Sequence, residues 1–175
     1  MRWGFVLLMW ACGGESVEVS PVRDPFIAMQ SDFADLFEWP RWEVPDIGST
    51  HGHRRGEPSY IYVRGAIPEW GERMPVGTII AKTVERGEPS EWEIHAMVKR
   101  GGGFNGDGCA EWEWLDLRLN AQRVPVITWR GEGNAANPGG YGRRLDGTPI
   151  SCNDCHAQVP HTDYTFARAL YSPDP

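Results

Sequence analysis

The sequence predicts an α+β, mainly β domain built on one antiparallel sheet of about five strands, with a short N-terminal helix and a C-terminal segment bearing a cysteine–histidine motif. Three observations lead there. Apolar residues recur with period two through most of residues 60–130. The runs are separated by short Gly/Pro turns with no helical stretch between them, which favours antiparallel neighbours over parallel crossover units. Cys152-Asn153-Asp154-Cys155-His156 follows the last run. With 175 residues, 41% hydrophobic and 23% charged, the chain suits one globular domain and not a disordered one.

Taken in order, Met1-Arg2 and the apolar stretch Trp3–Ala11 have the form of a short secretory signal. Ala11-Cys12-Gly13-Gly14 then resembles a lipoprotein processing site, so Cys12 is the expected acylation residue and 12–24 a linker behind it. On this reading, residues 1–11 are removed, 25–175 form the domain, and the protein is exported, periplasmic and held to the membrane by lipid alone. No apolar run reaches the roughly 18 residues of a membrane span. The net charge of −7 argues against a nucleic-acid partner.

Phe26, Met29, Phe33, Leu36 and Phe37 are spaced as one helix face, with Asp24 as its cap, Pro25 in the first turn and Pro40 as its stop. Residues 40–58 are expected to be a loop. Strands are expected at Tyr60–Arg64, Thr78–Glu85, Trp92–Lys99, Trp112–Leu119 and Val124–Arg130, and a short helix within Asp163–Tyr171. Along the third strand, Glu91, Glu93, His95, Met97 and Lys99 alternate with Trp92, Ile94, Ala96 and Val98, which assigns the former to a polar, solvated face. Gly101-x-Gly103-x-x-Gly106 fits a dinucleotide pattern but lies between two strands with no following helix, so it is a hairpin loop. The pairs Glu91/Glu93 and Glu111/Glu113 are expected at solvated strand edges.

The chemistry is concentrated in CxxCH. Two thiols at this spacing add to the two vinyl groups of haem, and the adjacent histidine ligates the iron. From composition, such a motif arises by chance about 0.002 times per chain of this kind. Covalent attachment of haem c takes place outside the cytoplasm, in keeping with the export signal. A redox dithiol lacks the surrounding strand–helix pattern. A zinc site with His161 would require Cys155 and His156, adjacent in the chain, on one tetrahedral ion.

A late CxxCH on a mostly β domain resembles the cytochrome P-460 family and its cytochrome c′-beta relatives. The stretches that carry the resemblance are Met74-Pro75-Val76-Gly77-Thr78-Ile79-Ile80-Ala81-Lys82, Met97–Asn105 with Glu111-Trp112-Glu113-Trp114, and Cys152–His156 followed by Thr162-Asp163-Tyr164-Thr165-Phe166. It spans roughly residues 58–168. Only CxxCH is individually specific, and the other stretches count through their order.

The resemblance implies one covalent haem c, with Cys152 and Cys155 as thioether anchors and His156 as proximal iron ligand. Lys82 matches the lysine that cytochromes P-460 bond to the porphyrin, whereas cytochromes c′-beta lack that cross-link. Residue alternation places Lys82 with Ile80 and Val84, and burial there would favour its neutral amine; an edge lysine reaching water or a haem propionate is the alternative. The family implies an open sixth position on iron. Of the possible sixth ligands, His95 falls on the polar face, His51 and His53 in a loop, His161 at the surface, and Met74 just before the Gly-Thr strand. Phe104, Trp112 and Trp114 mark the expected distal region, where an apolar lining favours small neutral ligands. Cys109 has no evident role.

Three functions follow as expectations: oxidation of hydroxylamine or nitric oxide species with electrons passed to a partner protein, nitric oxide binding without turnover, or electron carriage by a six-coordinate iron. Homodimers are usual among the resembled proteins.

Overall fold

The structure is a computed structural model and describes residues 24–44, 57–136, 146–166 and 170. Six strands form a single sheet in chain order: β1 (Arg41–Glu43), β2 (Ser59–Arg64), β3 (Ile79–Val84), β4 (Glu93–Lys99), β5 (Trp112–Leu119) and β6 (Pro125–Gly131). Every neighbouring pair is antiparallel. The short Gly/Pro connections suit such a meander, and a register shift at Asp116/Leu117 interrupts the β5–β6 ladder. Five strands lie within a residue or two of the expected runs. The sixth, β1, is a three-residue edge strand in the stretch read as loop, too short to show alternation.

Strand alternation divides the sheet into two apolar faces. Register places Tyr62, Ala81, Ala96 and Leu115 together, and Val63, Ile80, Met97 and Trp114 together. The first face, with Ile79, Ile94, Val98, Leu117 and Leu119, is covered by Ala28, Phe33, Leu36 and Trp39 of the N-terminal segment. The second packs against Met74, Cys109, Cys152, Tyr164 and Leu170. The sheet is therefore sandwiched between the two ends of the described chain.

The N-terminal segment is not the expected helix from Pro25 to Phe37. Residues 24–29 are non-helical, and two separate 3-10 turns follow at Gln30–Phe33 and Leu36–Glu38. Long-range bonds explain the departure. Phe26 N–H donates to the Arg100 carbonyl (2.8 Å), Arg130 reaches the Ala28 carbonyl (3.0 Å), and the Gln30 amide bridges Pro125 and Ile127 of β6. Met29, on the expected apolar face, is exposed, while Asp32 accepts its N–H at 2.7 Å.

Three further expectations are corrected. Met97 and Lys99 are buried under the C-terminal segment, so their side of β4 is interior. Glu113 is buried, its carboxylate held by Arg130 at 2.6 and 2.8 Å and by Arg100 at 3.2 Å. Asp163 and Tyr164 have φ of 49° and 67°, so no right-handed helix starts there; the rest of that expected helix lies largely outside the described residues. So do residues 1–23, with Cys12 and the signal, and also His51 and His53. The glycine loop is a β4–β5 connection as expected, with Gly101, Gly102 and Gly103 all at positive φ.

Candidate functional site

The CxxCH motif is the helix α1 (Cys152–His156), a single short turn whose start is written in the sequence. Ser151 accepts from Asp154 N–H (3.1 Å), and the Asp154 carboxylate accepts from Ser151 N–H (2.8 Å). This reciprocal cap satisfies donors that a helix of five residues cannot satisfy internally. Helical spacing puts Cys152 and Cys155 on one face, and both are half-buried.

Asn153, between the two cysteines, fastens this turn to the sheet. Its backbone N–H donates to Gly133 (2.9 Å), and its Oδ1 accepts from Trp114 Nε1 (3.1 Å) and Asn105 Nδ2 (3.1 Å). Its own amide donates back to Asn105 Oδ1 at 2.9 Å. Asn105, buried at φ 53°, also donates to the carbonyls of Trp112 and Glu132 (3.1 and 2.9 Å). Approach is close enough that a Cβ on Gly133 would lie 2.5 Å from the Trp114 ring and 2.8 Å from Cys152 Cβ. Sequence reasoning missed both asparagines and Gly133. A polar residue within CxxC and an Asn in a glycine loop carry no period, and only the fold brings them together.

His156 is held on three sides. Its Nδ1 lies 2.6 Å from the Tyr164 carbonyl oxygen, its ring centroid is 4.5 Å from Trp114, and Phe166 meets it edge-on at 5.1 Å. A carbonyl only accepts, so Nδ1 carries the hydrogen and, in the neutral imidazole, the lone pair is on Nε2. This is the tautomer a metal-binding histidine needs, oriented by a backbone acceptor. Trp114, expected in the distal region, is thus a neighbour of the expected proximal ligand. Trp112 is fully buried in the same cluster, and Phe104 lies apart beneath the Arg100 guanidinium.

Lys82 stands on the same sheet face, opposite Ile61 on one side and His95 on the other. Burial lowers its pKa, with Glu93 opposing the shift. His95 is not a solvated residue. It is half-buried, with Nδ1 2.7 Å from Asp116 Oδ1. Lys82, His95 and Asp116 therefore form a polar row across β3, β4 and β5 on the side that packs against α1. Desolvation pushes the Cys152 thiol up to about 12, with the Asp116 carboxylate adding to the effect. Cys109, fully buried in the same cluster, is likewise pushed up to about 12 by desolvation. Met74 is buried there too, and its N–H donates to Asp163 (2.9 Å). His161 is exposed, with Trp70 at 6.5 Å.

The donor set present fits a covalently held haem: two thiols on one helix face and an imidazole in the required tautomer, beside an apolar cluster that includes Val63, Ile80 and Met97. Among the described residues no three His, Cys, Asp or Glu side chains gather as a metal cluster, and no helix is long and apolar enough to cross a membrane. Compared with family models, curated proteins and solved structures, the chain gives no match.

Proposed function

We propose that this chain is an exported, lipid-anchored c-type haem protein of the cytochrome P-460 kind, binding a small nitrogen compound such as hydroxylamine or nitric oxide at an open iron position and oxidising it. The observation that carries the reading is the 2.6 Å contact from His156 Nδ1 to the Tyr164 carbonyl within a CxxCH helix. Neither a redox dithiol nor a chance cysteine pair calls for an adjacent histidine with its tautomer set. Haem, once attached through Cys152 and Cys155, would supply the ligand-binding metal and the redox couple.

The chain's own part is orientation and environment. Ser151 and Asn153 fix the attachment turn, Trp114 and Tyr164 fix the imidazole, and the apolar part of the face, Val63, Ile80 and Met97, disfavours charged ligands. Lys82, its amine made easier to deprotonate by burial, is the residue for a haem cross-link. The His95–Asp116 pair supplies hydrogen-bonding capacity on the same face. Electrons would leave to a partner protein.

The test is intact mass and an absorption spectrum after expression with haem-maturation machinery. A mass increase of one haem that disappears in Cys152→Ala/Cys155→Ala is expected, and no increase in the unaltered chain overturns the reading. A red-shifted ferrous band that reverts in Lys82→Ala supports the oxidase-type, cross-linked form. An ordinary haem c spectrum with nitric oxide uptake would instead place the protein with the non-catalytic cytochromes c′-beta. Failure of the ferrous protein to take up carbon monoxide or nitric oxide would establish a six-coordinate electron carrier.

A further inference from the structure

The interior on the α1 side of the sheet contains a full ion pair. Lys99 Nζ lies 2.7 Å from Asp163 Oδ1, with side chains only 1% and 2% exposed. The ammonium also donates to the Ala110 carbonyl (3.3 Å), sits 3.7 Å from Glu111 and lies 5.0 Å over the Trp112 ring. The other carboxylate oxygen of Asp163 accepts from Met74 N–H at 2.9 Å, and Arg73 Nε approaches the pair at 3.8 Å. Desolvating two charges costs about as much as their attraction returns, so such a pair is poor evidence of a stabilising role. Its position suggests another use.

Asp163 directly precedes Tyr164, whose carbonyl receives the His156 Nδ1 hydrogen. Both residues hold left-handed backbone conformations, φ 49° and 67°, without being glycine. Around them the chain closes on itself: Tyr164 N–H donates to Val159, and Thr165 Oγ1 donates to the Thr162 carbonyl at 2.8 Å. Those bonds set the shape of the loop but tie it only to itself. The Asp163 carboxylate ties it to the sheet through Lys99 of β4 and to the strand-leading loop through Met74.

We propose that the Lys99–Asp163 pair positions the proximal ligand, by fixing the Tyr164 carbonyl in a strained place where it sets both the direction and the electron donation of His156. The inference rests on the haem reading above. Lys99 and Asp163 are positioning residues and touch no reacting atom. A carbonyl held firmly against Nδ1–H makes the imidazole a stronger donor to iron. Releasing the loop weakens that donation, which lowers the iron–histidine stretching frequency and raises the reduction potential.

The test uses the haem-loaded protein. In Lys99→Met/Asp163→Gly no unpaired charge is left buried and glycine accepts the positive φ, so the loop loses its ties at the cost of one unpaired backbone donor, the Met74 N–H. Lys99→Met/Asp163→Asn keeps an acceptor for Met74 N–H and should give a smaller shift. Resonance Raman of the ferrous protein and a redox titration should show the stretch moving down and the potential up, in the order unaltered, Asn variant, Gly variant. Folded variants that carry haem and differ only in thermal stability, with stretch and potential unchanged, would overturn the inference. A chain that gains no haem mass at all would instead bring down the reading on which it depends, so the two failures are distinguishable.

Discussion

Lys82 and Glu113 show what burial does to single charges on the two faces of one sheet. Desolvation holds the folded-state pKa of Lys82 below the ~10.4 of an unfolded lysine. Between those two values the unfolded chain binds more protons than the folded one, so stability rises with pH there; below the folded value the whole penalty is present. In protein expressed without haem-maturation machinery, where the amine is intact, Lys82→Met should therefore raise the urea midpoint at pH 7. The advantage should shrink as pH climbs towards ~10.4, and an advantage constant to that pH would contradict the assignment. Glu113 is the opposite case, a buried carboxylate satisfied by Arg130 and Arg100. Its arginines are about a quarter to a third exposed, so Glu113→Ala should cost about 2 kcal/mol, less than the 3–5 of a fully buried broken pair. Urea denaturation reads that difference directly.

At the scale of elements, α1 is too short to persist alone and depends on its cap and on what it touches. Ser151→Ala should cost about 1 kcal/mol through the lost cap. Gly133→Ala should cost more, because a left-handed φ of 60° adds about 1–2 kcal/mol to a collision with Trp114 and Cys152. Haem incorporation, read as the absorbance ratio of Soret to protein bands, should fall clearly in Gly133→Ala and only slightly in Ser151→Ala; equal yields would show that Gly133 does not hold the attachment turn in place. These elements also show what a sequence discloses. Period-two patterning located β2 to β6 because alternate residues meet different surroundings, and CxxCH stood out because the haem attachment proposed for it would demand that spacing. The N-terminal segment misled, because its apolar spacing is helical while its hydrogen bonds go to Arg100, just past β4, and to β6, which no local pattern reveals. His95, Lys99 and Glu113 misled for a related reason. A polar residue on an alternating strand reads as solvated, and only the chain returning over it makes that face interior. Asn105, Asn153 and Gly133 act through contacts far apart in sequence and left no local trace.

Over the whole molecule, the sheet separates two cores that should answer differently to the proposed haem. The Phe33–Leu36–Trp39 side packs with the N-terminal segment, and its buried carboxylate, Glu113, is satisfied by Arg130 and Arg100. The opposite side mixes Met74, Met97, Trp112 and Trp114 with Cys109, Cys152 and the buried Lys99–Asp163 pair, so it carries the desolvation costs of the site. Local opening is governed by local contacts, and a covalently attached group stabilises chiefly the segments that pack on it. Hydrogen exchange on haem-loaded and haem-free protein should therefore diverge on one side only. Amides of α1, of residues 159–166 and of the paired residues Ile80, Met97 and Trp114 should gain protection on loading. Those of residues 26–39, and the strand amides at Ile79, Ile94 and Val98, should change little. Phe33→Ala, in turn, should lower stability by about 3–5 kcal/mol in both forms alike. Uniform protection across both faces would mean that the sheet opens as one unit and that the attachment side has no separate stability of its own. A one-sided gain would tie the polar burden of that face to the group it is proposed to hold.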